Sequence, residues 1–311
     1  MPPFQCLRSA SSDLSVIIAS FNTRQILLSC LASLYDHTQD IGFEVFVVDN
    51  GSTDGSAQAV AENFPQVTLI KNSENRGLSA AFNQGIRESG SRYIALLNSD
   101  TALIENCFLK LIRFLDDNTG FAVCSPQIID ETGEATSMRL WQDTPQDAFW
   151  RILGKYDVAG QDSRMGKIET KETETLGGSC LIIRRALFEI IGLMDENYFL
   201  YNEEDDLCRR ARMHGQKIGY FPETSIKHLR GKSTHLKEIR ERVIIETYKS
   251  YLYFFSKYYS TVWNWILRST YCATFIVGIP LAIWRRFVKN EPPGPDNSIA
   301  LKLKLLFMKE P

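Results

Sequence analysis

The stretch Val47 to Ser56 reads VVDNGSTDGS, an apolar run that ends in Asp49, Asn50 and Gly51. Ligands of open α/β sheets bind beyond the carboxyl ends of the strands, where a carboxylate can accept from a ribose hydroxyl or a base N–H. Asn50-Gly51 and Asp54-Gly55 are also good turn formers, so a turn and a ligand site both fit. Leu96 to Asp100, LLNSD, likewise closes an apolar run with polar residues. A departing diphosphate needs its charge neutralised, and hard cations take oxygen ligands. Asp100 could supply one, or could cap a helix beginning at Leu103.

Three further stretches carry charge. In ENRGLSAAFNQGI, Glu74 to Ile86, Gly77 permits a tight approach and Ser79, Ala80 and Ala81 let a helix pack closely on a sheet; Arg76 could reach a phosphate or a base, or lie in solvent. In FLYNEEDDLCRRARMHG, Phe199 to Gly215, four carboxylates open a helix. Acid at a helix start suits the dipole, but four in a row repel one another and argue for a use. On helical spacing Glu204, Cys208 and Ala211 share a face while Asp206 can pair with Arg210. Glu204 then points toward the sheet, where desolvation raises a carboxyl toward the range of a working base, and Glu203, Asp205 and Asp206 are expected to face solvent or to pair with Arg209 and Arg210. In SIKHLRGKST, Ser225 to Thr234, His228 ends a short strand before Arg230, Gly231 and Lys232, a mix suited to a metal ligand beside a phosphate-gripping loop.

Parallel β-α-β units must position these groups. Short continuous apolar runs at Leu14–Ala19, Phe43–Val48, Val67–Ile70 and Tyr93–Leu97 predict strands buried on both faces. Helices are expected near Thr23–Tyr35, Gly55–Asn63 and Leu78–Glu88, each after turn or capping residues. A strand pair is expected over Phe121–Ile129. A polar, irregular segment follows over residues 130–175, around Trp141 and Trp150, where acceptor-facing variation is expected. A strand at Cys180–Ile183, helices at Arg185–Ile191 and Glu204–His214, and strands at Lys217–Tyr220 and Thr224–Lys227 complete the pattern. The last seventy or so residues bring an aromatic helix, Ile244–Tyr259, and sixteen residues without formal charge between Arg268 and Arg285. A spanning helix needs about 20 apolar residues, and Pro280 interrupts this run. Interfacial or re-entrant docking, a full span, and a helical hairpin packed on the protein itself all remain open.

The 311 residues suffice for one large core and an appendage. A formal net charge of -2 argues against a general nucleic-acid binder. Seven cysteines, odd in number and without a C-x-x-C pair, read as reduced thiols of a cytosolic compartment. The first dozen residues lack the pattern of an export signal.

Taken in order, SVIIASFN, VVDNGSTDGS, ENRGLSAAFNQGI, LLNSD, GGSCLIIRRALFEIIGLMDENYFLYNEEDDLCRRARMHG and the His228 loop resemble glycosyltransferase family 2, in particular its bacterial rhamnosyltransferase-like members, from about Leu14 to Thr234. The resemblance implies an α/β GT-A fold, a Rossmann-like mixed sheet flanked by helices, over residues 12–236. The nucleotide-sugar half would be residues 12–100 and the acceptor half 101–236, followed by a helical, membrane-associating extension over 237–311. It implies an inverting enzyme that transfers a hexosyl or deoxyhexosyl group from a nucleoside-diphosphate sugar, with Mg or Mn. Its acceptor would be a glycan or lipid-linked hydroxyl at the cytoplasmic face of a membrane, in cell-surface polysaccharide or glycolipid assembly. By position, Ser20, Asn22, Asp49, Asn50, Arg76, Asn98, Ser99, Asp100, Arg230 and Lys232 would serve the donor. Asp100 and His228 would hold the metal, Gly178 and Glu203 would lie on the acceptor side, and Glu204 would be the base. Two positions depart from the family: Asn98 stands where an Asp-x-Asp motif opens, and Glu203-Glu204 replaces a Glu-Asp pair. The neutral Asn98 leaves less charge for a cation.

Two other classes compete. Nucleotidyl transfer would open with a glycine-rich, basic loop after the first strand, and SFNTRQ, Ser20 to Gln25, has no glycine. A membrane scaffold with a degenerate nucleotide site would be consistent with Asn98.

Overall fold

A computed structural model describes residues 12–136, 144–153, 170–229 and 237–287. Arg230, Lys232, Trp141 and much of the irregular segment lie outside the described residues. Those described fall into two compact units, one of residues 12–136, 170–199 and 203–229, the other of 144–153, 200–202 and 237–287.

The first unit is built on one nine-stranded sheet. Its strands are β1 (Leu14–Ser20), β2 (Phe43–Asp49), β3 (Thr68–Lys71), β4 (Tyr93–Asn98), β5 (Thr101–Leu103), β6 (Phe121–Ile129), β7 (Lys171–Thr173), β8 (Cys180–Arg184) and β9 (Lys217–His228). The order is β3-β2-β1-β4-β8-β6-β9-β5, with β7 also paired to β9. The first four strands run parallel; β1, β2 and β4 are largely buried, as their apolar runs predict, whereas β3, expected to be buried on both faces, is half exposed because it forms the margin of the sheet. Helices α1 (Arg24–His37), α2 (Ser56–Asn63) and α3 (Leu78–Glu88) make the crossovers. α4 (Cys107–Asp117), α6 (Arg185–Ile191) and α7 (Glu203–Met213) follow in the same unit. Val16, Ile17, Phe46, Val47, Ile94 and Leu97 lie fully buried in the core between sheet and helices.

Three expectations for this unit change. Phe121–Ile129 is one strand rather than a pair, because β8 and β9 flank it on both sides. Lys217–Tyr220 and Thr224–Lys227 join into the single strand β9, whose register against β6 shifts between Pro126 and Gln127. Leu103 does not start a helix, because Thr101–Leu103 pairs antiparallel with the end of β9.

The second unit contains α5 (Pro145–Ile152), α8 (Lys237–Tyr258) and α9 (Thr261–Phe287), with α9 packed on both α5 and α8. Helix α5 forms within the stretch expected to be irregular, and it groups with the C-terminal helices. Edge-on aromatic contacts of Tyr271 with Tyr248, at 4.6 Å between centroids, and with Tyr251, at 6.5 Å, fasten α8 and α9. Helix α9 continues through Pro280. Among the described residues no helix is long and apolar enough to cross a membrane.

Candidate functional site

Strand order reverses between β1 and β4, and the chemistry collects at that switch point. Ser20 pairs in register with Asp49, and Ala19 with Asn98, so three polar strand ends stand side by side. The Asp49 side chain is 4% exposed; its Oδ2 accepts from the Ser52 N–H at 3.3 Å, while Oδ1 is buried with no hydrogen-bond partner. A buried carboxylate oxygen left unpaired is costly, which suits one that meets a ligand.

The other donor-side residues divide by what their side chains already do. Asn22 is left-handed at φ 54°, and its Oδ1 accepts from the Thr53 N–H at 2.8 Å, zipping the loop after β1 to the loop after β2. The Arg24 N–H donates to Asp54 at 2.9 Å in the same seam. Burial works against the Asp54 carboxylate, but hydrogen bonds from Ser56 and from the Arg24 N–H hold it below its ordinary range. Ser20 pairs with Thr23 at 2.9 Å, and Thr23 donates to Ser99 at 3.3 Å. Asn50 is buried, and its side chain makes four hydrogen bonds, all to residues 72–77. Arg76 is half exposed, 4.0 Å from Glu196. Asn22 and Asn50 are therefore engaged in holding loops.

Asp100 and His228 do meet. Pairing of Thr101 with His228 and a 2.8 Å bond from the Leu229 N–H to the Asp100 carbonyl bring the ends of β4 and β9 together. His228 Nε2 lies 3.1 Å from Asp100 Oδ1, and its Nδ1 lies 3.3 Å from Ser179 Oγ. Two ligands at adjacent corners of an octahedral cation, with bonds of about 2.1 Å, stand about 3 Å apart. The pair therefore fits a divalent ion. With one carboxylate and a neutral Asn98, an ion here would draw its remaining ligands from diphosphate oxygens and water. Among the described residues no cluster of three or more His, Cys, Asp or Glu groups forms a metal site.

Ser179, which sequence reasoning missed, links the two sides of the site. Its carbonyl accepts from the Asn98 N–H at 3.0 Å, because β8 runs antiparallel beside β4. The neighbouring Gly178 lies against the Glu204 side chain, where an added Cβ would stand 3.6 Å from its carboxyl carbon. Glu204 thus sits beside the strand ends that carry Asn98 and His228. Helix α7 packs on β9 and buries Cys208 and Ala211 on the expected face.

The remaining acids of α7 depart from expectation. Asp206 does pair with Arg210 at 2.7 Å, but it is fully buried and also accepts from Tyr198 at 3.4 Å. Asp205 is buried as well and accepts from Thr175 at 2.5 Å. Glu203, expected to face solvent or to pair with Arg209 or Arg210, is 5% exposed, and its Oε2 has no hydrogen-bond partner. Burial first, and then the Glu204 charge, push the Glu203 carboxyl well above its ordinary range.

The family model described as glycosyl transferase family 2 matches residues 15–192. The chain is 27% identical over 212 residues to the low-salt glycan biosynthesis hexosyltransferase Agl10 of Haloferax volcanii, covering 67% of this chain and 64% of that protein. It is 27% identical over 238 residues to the N-acetylglucosaminyl-diphospho-decaprenol L-rhamnosyltransferase of Mycobacterium tuberculosis, covering 71% of this chain and 77% of that one. The solved mannosyltransferase PcManGT of Pyrobaculum calidifontis, in complex with GDP-Man and Mn2+, superposes with a TM-score of 0.54 at 16% identity, over 99% of this chain and 91% of that chain. That likeness shows a shared fold, a GT-A-like mixed α/β sheet.

Proposed function

The chain belongs to glycosyl transferase family 2, and from that membership we propose that it moves a sugar from a nucleoside diphosphate onto an acceptor hydroxyl with inversion at the anomeric carbon. The observation that carries the reading is the grouping, at the carboxyl ends of β2, β4 and β9, of the unpaired Asp49 carboxylate oxygen and the Asp100–His228 pair, with Glu204 beside Gly178. In this reading Asp49 holds the nucleoside, and Asp100 and His228 hold Mg or Mn. The cation, when bound, neutralises the diphosphate as it leaves. Glu204 accepts the acceptor hydroxyl proton as the oxygen attacks the anomeric carbon. The bond from that carbon to the diphosphate breaks with its electron pair going to the leaving oxygen, and a single displacement from the opposite face inverts the centre.

The names of the two relatives favour a hexosyl or rhamnosyl donor and a lipid-linked acceptor, in cell-surface polysaccharide or glycolipid assembly. A lipid-linked acceptor favours docking at the cytoplasmic face of a membrane. Exposed Val262 and Trp265 on α9 suit an interfacial mode.

Glu204→Gln keeps the shape and the hydrogen bonding but cannot take the proton. Transfer should fall by about 10²–10⁴-fold while donor binding stays near wild type. Near-normal transfer by the Gln variant removes Glu204 from the mechanism, and a parallel loss of donor affinity moves it to the metal site.

A further inference from the structure

Asn50 follows the nucleoside-side Asp49, yet all of its side-chain hydrogen-bonding capacity is turned away from the donor. Its Nδ2 donates to Asn75 Oδ1 at 3.0 Å and to the Gly77 carbonyl at 3.1 Å. Its Oδ1 accepts from Asn72 Nδ2 at 3.0 Å and from the Arg76 N–H at 3.1 Å. Two donors and two acceptors complete an amide group, and a carboxylate of the same shape could make only half of them.

The loop so held reaches the acceptor side. Asn72 continues to Gln84 of α3 through two bonds, at 2.8 and 2.9 Å. Gly77, at φ +88°, lies so close to Phe199 that a Cβ would stand 2.8 Å from its carbonyl oxygen, and the Leu78 N–H donates to that oxygen at 2.7 Å. Further along α3, buried Asn83 donates to the Met194 carbonyl and to Glu196, both at 2.9 Å, and accepts from the Met194 N–H at 3.0 Å. The 191–199 segment is in turn bound to α7, through Tyr198 to Asp206 and through Arg210 to the Ile191 carbonyl at 2.9 Å. An unbroken set of buried or part-buried contacts thus runs from the end of β2, through α3, to the helix that carries Glu204.

We propose that Asn50 is a positioning residue that fixes the base-bearing helix relative to the donor strands, acting through the 72–77 loop and α3 rather than by touching the donor. The proposal rests on the reading of Glu204 as base. A misplacement of about 1 Å in such a frame can cost about 10²-fold in rate. Asn50→Asp sets a carboxylate against Asn75 Oδ1 and the Gly77 carbonyl, both acceptors, and so should open the link at its donor end. Asn83→Ala opens it at the far end and leaves β2 untouched.

The test measures transfer kcat for each variant together with the affinity for nucleoside diphosphate in the presence of Mn, by calorimetry. The expected result is a kcat at least about tenfold lower in both variants with nucleoside-diphosphate affinity within about twofold of wild type. A loss of affinity as large as the loss of kcat in Asn50→Asp would overturn the proposal and return Asn50 to the donor site. Should Asn50→Asp fail to fold, Asn83→Ala carries the test alone, and a normal kcat there also overturns the proposal. Glu204→Gln in the same assay separates the premise from the inference. Normal transfer by Glu204→Gln removes the base reading, whereas an inactive Glu204→Gln beside a fully active Asn50→Asp removes only the positioning proposal.

Discussion

Replacing Glu203 by Gln should make the protein more stable, and increasingly so as the pH rises. In the folded chain this carboxyl is 5% exposed, one of its oxygens has no partner, and burial and the Glu204 charge raise its pKa well above the ordinary value. The unfolded chain ionises it near the usual value of about 4.3. Between that pH and the raised folded pKa the native state therefore binds more protons than the unfolded state, and stability falls as pH increases. The penalty is absent below the unfolded pKa, grows through the window, and levels off at the folded pKa. One such group contributes a slope of at most about 1.4 kcal/mol per pH unit. From pH 5 to pH 7 that is at most about 2.7 kcal/mol, or about 5–10 °C in melting temperature for a domain of this size. A Gln side chain keeps the shape and carries no charge at any pH. Thermal melts of both proteins at half-unit steps from pH 5 to 8 should show the two curves diverging, with the Gln variant higher at the alkaline end. Glu204→Gln should flatten the wild-type slope in part, because the Glu204 charge is the second cause of the raised value. A constant difference in melting temperature across the range, or a Gln variant that weakens toward pH 8, would refute the argument.

Asp100→Ala should abolish the enhancement of nucleoside-diphosphate binding by Mn, because it removes the sole carboxylate of the proposed ion site; calorimetric titration with and without Mn checks this, and equal enhancement in both proteins counts against it. Full-length protein should sediment with anionic phospholipid vesicles, and Trp265→Glu, on the face of α9 where Val262 is 66% and Trp265 69% exposed, should release it with its fold intact. Unchanged sedimentation of the Trp265→Glu variant would deny that face a part in docking.

What the sequence disclosed, and what it hid, follows from the reach of each interaction. The parallel half of the sheet was legible because β1, β2 and β4 are buried on both faces and so are written as unbroken apolar runs ending in Ser20, Asp49 and Asn98. The pairing of Asp206 with Arg210 followed from helical spacing alone. Other features depend on partners distant in the chain. Glu203 reads as one more surface acid until its burial is known, and Ser179 gains its place only when β8 settles antiparallel beside β4. The asparagines around Asn75 carried a faint signal, since KNSEN clusters amides where a simple surface turn needs fewer. Their convergence on Asn50, however, is a tertiary fact. Continuity of β9 was hidden in the same way, because Pro222 and Glu223 interrupt the apolar pattern where the strand shifts out of register with β6, before pairing resumes at Ser225.

The ends of the sheet bear on how the protein behaves at high concentration. A wide sheet invites further strands from neighbouring molecules wherever a long, flat edge is open. Here the longest strands, β6 with nine residues and β9 with twelve, are interior. The margins are formed by β3, with four residues ending in the exposed Lys71, and by the three-residue strands β5 and β7, which share the outer side of β9. A foreign strand meeting any of these margins finds a ladder of three or four residues, well short of the usual five or six, and at β3 it meets a charge as well. Among the described residues the sheet thus offers no long edge strand as a template for its extension into fibres.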